Sequence, residues 1–202
     1  MDDGRKDEEY SEMAWAIAAR GKSGREIGFL HETWANAQTA RGVLDKAQQE
    51  HLDKALEIWE RYDDLSLVAR TWCLKGSCSV ESNDFMTAAD SFKRAQKVAE
   101  EVDDVPLVLC AMANRTICEI RRGEAKAAAT HARRVFVKAA DEANAEAIMV
   151  SHCVRAASYQ MGGNFSAACN EHEAAAKMIS KGTVKSPDPD LLLAMDTNFG
   201  IW

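Results

Sequence analysis

The chain of 202 residues carries a formal charge of −7, with 47% apolar and 28% charged residues, 3 prolines and 11 glycines. That balance fits a folded, mostly helical protein and fits a β-protein badly. No apolar run approaches the roughly 20 residues that span a bilayer, no cleavable leader opens the chain, and the acidic balance argues against general nucleic-acid binding.

The cysteines, Cys73, Cys78, Cys110, Cys118, Cys153 and Cys169, include no Cys-x-x-Cys pair. They are too sparse for a secreted disulfide scaffold and read as reduced packing residues of a cytoplasmic protein.

In chain order, residues 1–9 are charged and expected to fray, and a short helix is expected over 10–20, the first part of an N-terminal segment 1–25. Gly21-Lys22-Ser23-Gly24 breaks it. A helix over 26–41 places Ile27, Leu30, Trp34 and Ala37 on one face, and the next, over 44–62, carries Ala47, Leu52, Ala55, Ile58 and Trp59. From Leu65 onward helices are expected at 65–82, 84–101, 105–122, 124–140, 145–161 and 165–180. Turns fall at Asn83-Asp84, Gly123-Glu124 and Gly162-Gly163-Asn164, where glycine or asparagine accepts the angles that end a helix. Pro106 sits in a first helical turn, where a missing N–H costs nothing. Asp63-Asp64 and Asp103-Asp104 read as acids at helix N-termini. A proline-punctuated loop precedes a final helical pattern over 191–202, expected to cap the array of 26–182 as part of a terminal segment 183–202.

A register of 40 residues runs through this pattern. Asn83-Asp84-Phe85-Met86-Thr87-Ala88-Ala89 lands on Gly123-Glu124-Ala125-Lys126-Ala127-Ala128-Ala129, and then on Gly163-Asn164-Phe165-Ser166-Ala167-Ala168-Cys169. A fixed period of two helices marks an all-α solenoid of antiparallel helix pairs.

Trp72, Gly76, Ala88, Phe92 and Ala95 resemble the tetratricopeptide repeat in its roughly 40-residue form. Ala128 and Val135 keep part of the pattern in the next repeat, and Ala156, Tyr159, Ala168 and Ala175 in the third. Gly76 and Ala88 would let two helices approach closely, with Trp72 and Phe92 filling the space beside them. The resemblance covers three to four repeats and is specific for fold. Soluble NSF attachment proteins, cell-polarity adaptors and arrays attached to bacterial regulators all remain open.

The resemblance implies that the first helix of each repeat lines a concave surface that holds a partner. The positions carried over are Arg70, Cys73 and Ser77; then Cys110, Ala113, Asn114, Ile117 and Arg121; then Val150, Cys153, Val154, Ala157 and Gln160. Being mostly small and apolar, they exclude a clamp for a carboxylate tail and suit an amphipathic helix or an extended segment. Ile117, Val150 and Val154 would supply apolar burial, and Arg70, Asn114, Arg121 and Gln160 orientation.

Between Arg115 and Lys138 seven basic residues face only Glu119 and Glu124, a window of net +5 that leaves −12 for the rest. It reads as a solvated face with helix-end electrostatics or as a patch for an acidic partner. Nucleic acid is the least favoured reading there, because aromatic interleaving is absent.

His152 and His172 fall at the register positions of Trp72 and Phe92 and are expected to face each other. Cys153 and Cys169 lie near them in sequence, but the four residues have no established zinc-ligand spacing, and no metal is expected there. There is no phosphate loop, no nucleophile elbow and no Gly-x-Gly-x-x-Gly. The expectation is a protein or peptide partner, no cofactor, no metal, no catalysis and no membrane span. A permanent subunit of a larger assembly, self-association, or the regulatory repeat domain of a longer protein are the alternatives.

Overall fold

The computed structural model describes residues 24–42 and 46–184, together with Met13, Trp15, Ala16 and Arg20. The helices are α1 (Gly24–Ala40), α2 (Lys46–Arg61), α3 (Leu65–Glu81), α4 (Phe85–Glu101), α5 (Val105–Arg121), α6 (Ala125–Asp141), α7 (Ala145–Met161) and α8 (Phe165–Ser180). No strand occurs among the described residues. The short helix expected over 10–20 lies largely outside them, and the terminal helix over 191–202 lies wholly outside.

The turns carry a shorter period than the 40-residue register. Asp63, Asn83, Asp103, Gly123, Ala143 and Gly163 all adopt left-handed backbone, with φ between +51° and +76°. They stand 20 residues apart. After each, the next N–H reaches back to the carbonyl five residues earlier, as Asp64 to Trp59 at 3.0 Å and Asn164 to Tyr159 at 2.9 Å. This is the Schellman closure. The residue that completes it is also the N-cap of the following helix. Asp64, Asp84, Asp104, Asn144 and Asn164 each accept a hydrogen bond from the backbone N–H three residues on.

Two residues ends one helix and starts the next, so consecutive helices must run antiparallel. Asp63 and Asp103 are therefore turn residues and not helix N-terminal acids; only the second acid of each pair caps. Glu124 is one methylene too long to cap its own helix and pairs with Arg122 at 2.7 Å instead.

Each helix packs on the next, and the first helices of the pairs also touch in series: α1 on α3, α3 on α5, α5 on α7. That arrangement is an all-α solenoid with its core running along the array. The core is built from small residues (Ala69, Ala95, Ala99, Ala111, Ala128 and Ala139 have no exposed surface) around a few large ones, Trp59, Phe92, Leu52 and Met149.

Gly76 shows why a small residue is required. A Cβ there would lie 2.7 Å from Phe92 Cε1, so the ring lies directly on the α3 backbone. Trp72 departs from expectation. It is half-buried, with Arg94 over its ring at 4.6 Å and Lys75 at 5.3 Å. The same close approach recurs where the sequence reading had no counterpart: a Cβ on Gly28 would lie 2.5 Å from the buried Trp59 ring.

Candidate functional site

The thirteen first-helix positions divide into three groups. Arg70, Ser77, Cys110, Arg121 and Gln160 are exposed, and Cys73, Asn114 and Val150 are half-buried. Ala113, Ile117, Cys153, Val154 and Ala157 are buried. The last group corrects the expectation. Ile117 and Val154 share a core cluster with Ala113, Ala132 and Val135, because α7 packs on both α5 and α6 and consumes the apolar stripe between them. Cys153 packs with Met149, Ala175 and Val184. None of these five has a side chain free to meet a partner.

The histidines are arranged differently from the expectation as well. His152 does not face His172; its Nδ1 lies 2.7 Å from Glu171 Oε2, and its ring meets Phe136 edge-on at 5.2 Å. Arg155 joins the same carboxylate at 2.8 Å and lies over the Phe136 ring at 4.4 Å. His172 Nε2 is left without a partner, and burial lowers its pKa. No group of three or more metal-ligating side chains occurs among the described residues.

One repeat earlier the same three residue types recur with two exchanged. Arg115 stands 40 residues before Arg155, and His131 stands 40 before Glu171. There the acid is Glu119 on the first helix and the histidine is on the second. His131 Nδ1 lies 2.7 Å from both Glu119 oxygens, with Arg115 Nε at 3.4 Å. Each triad ties the two helices of its pair. Removing one member would leave a buried charge without compensation, so these triads are read as structural.

A second pair of histidines, absent from the sequence reading, is buried between α1 and α2. His31 Nδ1 and His51 Nδ1 are 3.1 Å apart. The His51 ring stacks on Trp34 at 4.0 Å, and Trp15 lies 4.8 Å from His31. Burial, followed by the His51 and Lys54 charges, lowers the His31 pKa to about 4. Two neutral imidazoles satisfy this contact, one donating from Nδ1 and the other accepting.

Open surface is found beside α6. One cleft, of about 460 Å³, lies between α6 and α7, with Phe136, Val137, Arg133, Arg155, Ser158 and Tyr159 in its lining. The Ser158 hydroxyl in that lining is buried and has no partner. A second cleft, of about 350 Å³, lies on the other flank, between α6 and α4, floored by Met112 and edged by Arg133, Arg134 and Lys138 together with the acids Glu100 and Asp141. Arg133 and Val137 belong to both. Val137 is 50% exposed. Arg155 is neutralised by Glu171, and Lys138 lies 3.9 Å from Glu142. Arg133 and Arg134 are exposed and have no carboxylate partner among the described residues. The basic stretch thus becomes a ridge with an apolar centre, two unpaired guanidinium groups and a cleft on either side.

No protein-family model matches the chain, and no curated protein matches it in sequence. Among solved structures it is similar to BtubC (BKLC) from P. vanneervenii, with a TM-score of 0.70 and 16% identity, over 93% of this chain and 77% of that one. At that identity the likeness is one of fold alone: a helical array of matching shape.

Proposed function

We propose that this chain is a tetratricopeptide-like interaction scaffold of the cytoplasm, and that its α6 face binds an acidic, amphipathic segment of a protein partner. The observation that carries this reading is the pairing state of the ridge. Arg133 and Arg134 stand unpaired beside exposed Val137, while the neighbouring cations of the basic stretch, Arg115 and Arg122, are each held by a carboxylate. Unpaired arginines around an apolar centre match a helix with carboxylates flanking an apolar stripe. Charge complementarity would act mainly on the association rate and weaken with salt. The buried state of Ile117 and Val154 moves the expected interface away from the first-helix stripe. Free thiols at all six cysteines support a reducing compartment. No helix among the described residues is long and apolar enough to cross a membrane.

The test is an affinity pull-down from the native lysate at low and high salt. It compares wild type with Arg133→Glu/Arg134→Glu and with Arg70→Glu/Gln160→Glu. A partner lost from the first variant, kept by the second and released by salt supports the α6 reading. Loss from the second variant alone returns the interface to the first-helix face. If neither variant releases the partner and wild type elutes only as a large assembly, the chain is a permanent subunit.

A further inference from the structure

The wall of the α6–α7 cleft contains a hydroxyl that its own helix does not use. The buried serines and threonines among the described residues are Thr71, Ser79, Ser91, Thr116, Ser151 and Ser158. The first five donate to a carbonyl three or four residues back: Thr71 to Leu67, Ser79 to Lys75, Ser91 to Thr87, Thr116 to Met112 and Ser151 to Ile148. Ser158 is 5% exposed and has no partner at all. An unpaired buried hydroxyl weakens the fold that carries it, and an acceptor bound in the cleft would give Ser158 the partner that its helix does not.

The rest of the lining says what kind of acceptor fits. Arg133 is exposed and has no carboxylate partner among the described residues. The half-buried Tyr159 makes no hydrogen bond through its hydroxyl among them. Arg155 is met by Glu171 at 2.8 Å and lies over the Phe136 ring, so it shapes the cleft without adding net charge. No acid lines this cleft, whereas Glu100 and Asp141 edge the one on the other flank. One uncompensated guanidinium, two free hydroxyls and an apolar wall of Phe136 and Val137 suit a single negative charge on an apolar stem.

We propose that the α6–α7 cleft seats one carboxylate of the partner's segment, an aspartate or glutamate, with Arg133 pairing its charge and Ser158 donating to one of its oxygens. The proposal rests on the α6 reading and deepens it, by choosing one of the two clefts and naming the group that enters it. Ser158 then discriminates an acid from an amide of the same shape, because a hydrogen bond to a carboxylate is stronger than one to a neutral carbonyl.

The experiment titrates the chain with phenylacetate and with its neutral counterpart phenylacetamide, following backbone amide shifts by nuclear magnetic resonance. Phenylacetate should move the amides of α6 and α7 around the cleft and leave those near Glu100 in place. Phenylacetamide should bind roughly tenfold more weakly. Ser158→Ala should also weaken phenylacetate roughly tenfold, while its melting temperature stays level or rises, because no folded-state hydrogen bond is lost. In the lysate pull-down, Ser158→Ala should release the partner at lower salt than wild type does. Shifts confined to the other flank, an amide bound as tightly as the acid, or phenylacetate binding unchanged in Ser158→Ala overturns the proposal. A partner indifferent to Ser158→Ala, when phenylacetate binding is lost, overturns it as well and leaves the cleft to a free small acid. The α6 reading is judged separately by Arg133→Glu/Arg134→Glu: a partner lost from that variant, with no phenylacetate in the cleft, removes this inference and leaves that reading standing.

Discussion

The buried pair His31–His51 makes a sharp prediction about acid. One imidazole donates from Nδ1 to the bare Nδ1 of the other across 3.1 Å, so a proton added to that bare Nδ1 would set two donors against each other inside an aromatic enclosure. The groups facing this pair are Trp15, Trp34 and the Lys54 charge. Burial first, then the charges of His51 and Lys54, oppose protonation of His31. His31 thus titrates near 4 in the folded chain against 6.5 when unfolded. The unfolded chain binds more protons between those values, so stability rises with pH through the window and falls as pH drops from 6.5 toward 4. At about 1.4 kcal/mol per pH unit the full window is worth about 3 kcal/mol, and about 2 kcal/mol of it is lost between pH 7 and pH 5. Urea unfolding followed by far-ultraviolet circular dichroism at both pH values measures this. His31→Gln should start less stable at neutral pH and lose about 2 kcal/mol less than wild type on acidification. His172 and Asp84, whose pKa values are also lowered, contribute equally to both proteins and cancel in the difference. Parallel acid responses in wild type and variant would refute the assignment of the proton to this pair.

Three further perturbations test the fold and the proposed face. Gly76→Ala places a methyl 2.7 Å from Phe92 Cε1 and should destabilise by about 1–3 kcal/mol, with partial recovery in Gly76→Ala/Phe92→Leu; an unchanged melting curve would mean that Phe92 does not lie on the α3 backbone. Ala143 holds φ +51° where the equivalent turn positions carry Asp, Asn or Gly. Ala143→Asn should therefore stabilise by about 1 kcal/mol, read as a raised urea midpoint. Arg133→Glu/Arg134→Glu should fold like wild type, since neither side chain has a folded-state carboxylate partner to lose, and should abolish the salt-sensitive part of partner binding. A drop in its melting temperature would show that these arginines hold the fold.

Much of the fold was legible because its signals are local. From Leu65 onward the expected helices agree with the observed bounds to within a residue, for turn residues and cap acids act over four or five positions. The 20-residue period stayed hidden because left-handed backbone is a condition that Asp63, Ala143 and Gly163 all meet with different side chains. Only glycine and asparagine advertise it. Asp63 and Asp103, each followed by a second acid that does cap, were indistinguishable from caps by type. The Gly28–Trp59 contact was missed for a related reason. It lies at the open end of its helix pair, away from the connecting turn, whereas Gly76–Phe92 lies nearer the turn, so the repeat register does not map one onto the other.

The site was less legible, because periodicity tells which residues share a face and not what covers it. Ile117 and Val154 lie on a regular stripe whether a partner or α7 packs there, and only the stacking of α5, α6 and α7 decides. His152 illustrates the limit at finer grain. The register pairs it with His172, yet on a helix the adjacent Glu171 points about 100° away, and that rotation brings the carboxylate to His152 Nδ1. The basic stretch carries the same lesson toward function. Sequence shows the cations, but a cation held by a carboxylate has little left for a partner. Glu119 holds Arg115, Glu124 holds Arg122, and Glu171 holds Arg155. Those pairings narrow the proposed face, because they leave Arg133 and Arg134, with Lys126 in the first turn of α6, as cations whose charge a partner's carboxylates could still neutralise.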